Sequence, residues 1–127
     1  MDQITFYKAK LEYETDSWDL SEAIANGDDV IDARSPEAYE LEHISGAINI
    51  PHRSMNVDST AHLDKPKTYV SYCDGIGCNA STKAALKLTK LGFTVKELLG
   101  GLDWWLRDGY ETHGQNGKAG KQIICGC

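Results

Sequence analysis

The sequence predicts an α/β domain built on a parallel sheet, and three observations carry that prediction. Short apolar runs alternate with helix-like stretches along most of the chain. The connections between them are brief and punctuated by Gly, Asn and Pro. A length of 127 residues holds one hydrophobic core and not two. We therefore read residues 1–127 as a single domain, with its core over about 18–109 and a flexible, Gly/Lys/Gln-rich tail over about 113–127.

The elements follow in order. Residues 1–16 carry scattered apolar side chains (Ile4, Phe6, Leu11, Tyr13), which suggest a short edge strand or an arm. Asp16 or Ser17 can cap a helix beginning near Trp18, with Leu20, Ala23 and Ile24 as its buried stripe and Asn26-Gly27 as its end. Residues 30–33 read as a short buried strand. Ser35-Pro36 opens another helix, because serine caps and proline suits the first turn. Residues 47–50 form a second strand closed by Pro51. After a polar stretch, residues 68–72 give a third strand that runs directly into Cys73. A helix over 82–91 follows, with Ala85, Leu86 and Leu88 on its apolar side. Residues 93–98 make a fourth strand, and residues 102–107 a short last helix after Gly100-Gly101.

Composition narrows the function classes. Apolar residues are 41% of the chain and the formal net charge is -6. This is ordinary globular composition, and its field repels nucleic acid and anionic membrane, so neither is expected as a partner. No apolar run approaches the roughly 20 residues that span a bilayer, and no leader pattern opens the chain, so a cytoplasmic location is expected.

Four cysteines need an explanation: Cys73, Cys78, Cys125 and Cys127. A disulfide framework belongs to small secreted chains with too little core. The C-x4-C and C-x-C spacings suit a structural zinc site poorly, so no metal is expected. No phosphate loop and no G-x-G-x-x-G follows a strand, so no cofactor is expected either. Reactive thiols are the remaining alternative to inert ones.

Parallel sheets bind ligands beyond the carboxyl ends of their strands. That rule points to the loop Cys73, Asp74, Gly75, Ile76, Gly77, Cys78, Asn79. Its glycines let the chain curl so that amides point inward toward a helix start, which favours an anion. A thiol at that focus is expected to lose its proton more easily. Strand, cysteine, Gly-rich loop and helix together describe a nucleophilic Cys73. His52 and Arg53 follow the second strand on the same edge, where they can supply positive charge for substrate binding.

The cysteine loop resembles the active-site loop of rhodanese-like domains, which are sulfurtransferases. Three further segments resemble that family in the same order: Asp32-Ala33-Arg34, His43-Ile44-Ser45-Gly46-Ala47, and Leu99-Gly100-Gly101-Leu102-Asp103-Trp104. The resemblance implies a rhodanese-like fold, a five-stranded parallel sheet flanked by helices on both faces. It also implies that Cys73 accepts a sulfane sulfur from a small donor, thiosulfate or a thiol persulfide, as a persulfide. The sulfur then passes to a nucleophilic acceptor or acceptor protein. It makes Arg34 a structural residue paired with a carboxylate.

This loop departs from the family in carrying Asp74 where a basic residue is common, and in its greater length before the helix. An inward carboxylate repels anions, which puts thiosulfate in question as the donor. Alternatives from other classes are a thiol redox protein using Cys73 and Cys78, and a non-catalytic binding module. A phosphatase would place an arginine at the position of Asn79 to clamp phosphate. Cys78 can resolve an oxidised Cys73 or pack as a small apolar group, and Cys125 and Cys127 read as bystanders or a relay.

Overall fold

In the computed structural model, residues 1–123 and Gly126 are described. Five parallel strands form the main sheet: β1 (Glu14–Thr15), β2 (Asp29–Asp32), β4 (Ile48–Asn49), β5 (Thr68–Tyr72) and β6 (Thr94–Leu98), in the spatial order β1-β6-β5-β2-β4. A small antiparallel pair joins β3 (His43–Ile44) to β7 (Thr112–His113). The helices are α1 (Gln3–Tyr13), α2 (Ser17–Ala25), α3 (Pro36–Leu41), α4 (Ala80–Lys90) and α5 (Gly101–Arg107), with a 3-10 turn at His52–Ser54.

The alternation of side chains along β5 divides the core. Tyr69 and Cys73 point to one face, where Ala80, Ala84 and Leu88 of α4 cover them together with Ile31 and Phe93. Val70 and Tyr72 point to the other, against Leu20 of α2 and Leu102 and Trp105 of α5. Helices therefore cover both faces of a parallel sheet, as expected. The caps are also where the sequence puts them: Asp16 accepts from the Asp19 amide and Ser35 from the Ala38 amide.

Three local expectations are corrected. Residues 3–13 form a helix rather than an arm or strand, and only Glu14–Thr15 joins the sheet edge. Asp2 caps this helix through the Thr5 amide, and no residue of α1 is buried, so its apolar residues carry no stripe to read. In α4 the buried stripe is Ala80, Ala84 and Leu88 at four-residue spacing, while Leu86 faces water. Finally, the stretch read as a flexible tail begins with strand β7. It stays bonded through Lys118 N to Thr112 O and Lys121 N to Gly109 O.

Candidate active site

Three adjacent strands, β5, β2 and β4, end at the same edge, and the loops after them converge. Arg34 leaves β2, His52 and Arg53 leave β4, and Asp74 and Cys78 belong to the loop after β5; together they line a pocket of about 500 Å³. Of the residues expected at the site, Asp74 and Cys78 share this pocket with His52 and Arg53; Cys73 does not line it, and Ile76 lines a separate groove.

Two backbone clamps hold the cysteine loop. The first-turn amides of α5 donate to it, Leu102 N to Cys73 O at 2.9 Å and Asp103 N to Asp74 O at 2.8 Å. Gly101 makes this approach possible. Its φ is +57°, and a Cβ there would lie 2.4 Å from Cys73 O and 2.8 Å from Gly75 N. Within the loop, Cys78 N donates to Gly75 O at 3.2 Å, and α4 begins at Ala80 after Asn79.

Cys73 is only 1% exposed. Its Sγ lies 3.0 Å from the Cys78 carbonyl oxygen, to which the thiol donates, and 3.7 Å from Ser81 Oγ. Burial pushes the Cys73 thiol up, and the Cys78 side chain adds to this. Hydrogen bonds from the Ser81 backbone and hydroxyl and from the Gly75 backbone pull the other way but do not win. The expectation of a thiol activated at rest is therefore corrected. The inward amides exist, yet desolvation outweighs them in this conformation. Cys78 is half-buried and lines the pocket, and both thiols are free. Cys125 and Cys127 lie outside the described residues.

Arg34 organises the pocket floor. Asp32 is fully buried, and Arg34 Nη2 donates to its Oδ2 at 2.8 Å while Arg34 Nε reaches its Oδ1 at 3.0 Å. The Tyr72 hydroxyl donates to Asp32 Oδ2 at 2.7 Å and accepts from the Ile44 amide. Burial opposes the Arg34 charge, but the bonds and charge of Asp32, and then of Asp74, hold its pKa above the ordinary value. Arg34 Nη1 extends to Asp74 Oδ1 at 3.1 Å. Asp74 thus faces Arg34 rather than the thiol, although it is 73% exposed. The pairing of Arg34 with a carboxylate is what the family resemblance implies; its second partner, Asp74, lies 40 residues away, beyond the reach of any local pattern.

The far wall is basic. Lys87 Nζ donates to the His52 carbonyl. Burial, then the charges of Lys87, Lys83 and Arg53, push the His52 pKa below the usual histidine range. The lysines of α4 escaped the sequence reading because they follow the loop by a turn or more of helix.

Among the described residues, no group of His, Cys, Asp and Glu is arranged to hold a metal ion, and no helix is long and apolar enough to cross a membrane.

Fold and site together define a class: a parallel α/β domain that sets a buried cysteine and its Gly-rich loop at the carboxyl edge of its sheet, beside a basic pocket. The chain belongs to the rhodanese-like domain family, whose profile matches residues 18–108. It is 38% identical over 97 residues to the thiosulfate sulfurtransferase GlpE of Pseudomonas paraeruginosa, covering 74% of this chain and 83% of that one. It is 41% identical over 73 residues to the thiosulfate sulfurtransferase PspE of Escherichia coli, covering 57% and 68%. The crystal structure of the BH2092 protein from Bacillus halodurans matches with a TM-score of 0.86 at 45% identity, over 90% of this chain and 85% of that one.

Proposed function

We propose that the protein is a sulfurtransferase that moves a sulfane sulfur through a persulfide on Cys73. The observation that carries this reading is the position of Cys73, at the end of the central strand, held by the amides of α5 and set under the start of α4. The names of the relatives support the reaction class.

In the first step the Cys73 thiolate attacks the outer sulfur of the donor. A new S–S bond forms, the donor's S–S bond breaks, and the leaving group departs with the electron pair: sulfite from thiosulfate, or a thiolate from a thiol persulfide. In the second step an acceptor such as cyanide attacks the outer sulfur, thiocyanate forms, and Cys73 is returned as thiolate. The two half-reactions give ping-pong kinetics. Deprotonation of Cys73 requires release of its bond to the Cys78 carbonyl, which leaves the Ser81 and Gly75 amides to hold the anion.

The pocket favours an anionic donor. Arg53, Lys83 and Lys87 give it positive charge, and Arg34 compensates Asp74. Both thiosulfate and an ionised persulfide fit this chemistry, so Asp74 does not argue against thiosulfate. A mechanism that needs a free Cys73 suits a reducing compartment, and we place the protein in the cytoplasm on that ground.

The test is thiocyanate formation from thiosulfate, and separately from a thiol persulfide, with cyanide as acceptor. Wild-type protein is expected to be active and Cys73→Ser inactive with both donors. Thiocyanate formed by Cys73→Ser at the wild-type rate would falsify the assignment.

A further inference from the structure

The cysteine loop has a second flank that the reaction with a small donor does not use. Ile76, near the middle of the loop, is 81% exposed. It lies with Leu99 and Trp104, 46% and 42% exposed, along an open groove of about 350 Å³. Three large apolar side chains gathered at one exposed place mark a surface that something covers.

The charge of this groove is the reverse of the pocket's. Asp16 and Asp108 line it, and no Lys or Arg does. The cation beside it, Arg107, is bonded to Asp103 at 3.0 Å and lies over the Trp104 ring at 5.1 Å. Anionic lipid is repelled there, and a cationic partner is attracted. The groove is also joined to the reacting loop rather than remote from it, because Ile76 belongs to the loop and the α5 clamp that fixes Cys73 also carries Trp104.

We infer that this groove docks the sulfur acceptor, a polypeptide segment that presents an apolar side chain flanked by Lys or Arg and brings a cysteine to the loop. The inference rests on the sulfur-transfer reading above. The acceptor thiol attacks the outer sulfur of the Cys73 persulfide. A peptide persulfide forms, the Cys73–sulfur bond breaks, and the acceptor's proton passes to the released Cys73 thiolate. Small donor and protein acceptor would thus approach from two differently charged flanks of one loop.

The experiment uses the whole protein and three cysteine peptides: a basic one (Lys-Leu-Cys-Leu-Lys), its acidic counterpart with Glu for Lys, and a basic polar one with Ser for Leu. Fluorescence anisotropy of labelled Cys→Ser versions measures docking on the resting protein. Persulfide transfer to the cysteine versions measures its use. The variant is Leu99→Ser/Asp108→Lys, which leaves the cysteine loop and the pocket intact. Wild-type protein is expected to bind the basic apolar peptide about tenfold tighter than either control, and the variant to lose that preference. Transfer to the basic peptide is expected to drop about tenfold in the variant while thiocyanate formation stays within about twofold. Equal binding of all three peptides, an undiminished preference in the variant, or tighter binding to anionic vesicles overturns the docking surface. Failure of wild-type protein to make thiocyanate overturns the sulfur-transfer reading instead, and the anisotropy still decides whether the groove binds.

Discussion

Arg34 Nη1 lies 3.1 Å from Asp74 Oδ1, an ion pair that ties the loop after β2 to the cysteine loop after β5. Arg34 is itself anchored by fully buried Asp32. The pair therefore couples the loop that carries the proposed nucleophile to the centre of the sheet, and it cancels the one carboxylate that would oppose an anionic donor.

Replacing Asp74 by Asn should free the Nη1 side of Arg34 and make the pocket more positive. The KM for thiosulfate is expected to fall about two- to fivefold with kcat little changed. Because Asp74 is largely exposed, the stability change should stay below about 1 kcal/mol. Steady-state kinetics and urea denaturation check both. A rise in KM would show that Asp74 serves the donor directly.

Gly101→Ala should be far more damaging than its size suggests. The left-handed backbone there costs an Ala about 1–2 kcal/mol, and its Cβ meets the backbone of Cys73 and Gly75, which cannot swing aside. A loss of about 2–4 kcal/mol in chemical denaturation is expected, together with strongly reduced sulfur transfer, since the displaced atoms belong to the cysteine loop.

The raised Cys73 pKa sets a pH dependence. The thiol is protonated at neutral pH, so alkylation of Cys73 by iodoacetamide should accelerate as pH rises beyond the ordinary thiol range. The folded state holds this proton more tightly than the unfolded chain, so folding stability falls as pH climbs from the unfolded thiol pKa toward the higher folded one. Alkylation rates in the Cys78→Ser background should rise at a given pH, because the Cys78 side chain contributes to the upward shift. A pH-independent alkylation rate down to neutral pH would contradict the buried-thiol account.

Cys78→Ser separates sulfur transfer from a thiol redox role. Thiocyanate formation should stay within about threefold of wild type. A loss as complete as that of Cys73→Ser, with a Cys73–Cys78 disulfide trapped in wild-type protein after mild peroxide, would favour the redox pair.

Much of this architecture is legible along the chain because local chemistry and global fold agree. Ser35-Pro36 starts a helix, and the run 68–72, the central strand, leads directly into Cys73. What escaped was non-local or unpatterned. The helix at Gln3–Tyr13 buries nothing, so no period betrays it. The Asp74–Arg34 pair depends on the register of β5 beside β2, which places Tyr72 opposite Asp32. The expected activation of Cys73 failed for a different reason. Sequence shows the glycines that turn amides inward, but the balance between those amides and burial is decided by how closely α4 covers the sulfur.

The most direct test of the central claim is the intact mass of the protein after brief exposure to thiosulfate and removal of the excess. One added sulfur is expected on wild-type protein, mapped to Cys73, discharged by cyanide and absent from Cys73→Ser. A wild-type mass that does not change, or an added sulfur that persists in Cys73→Ser, would contradict it.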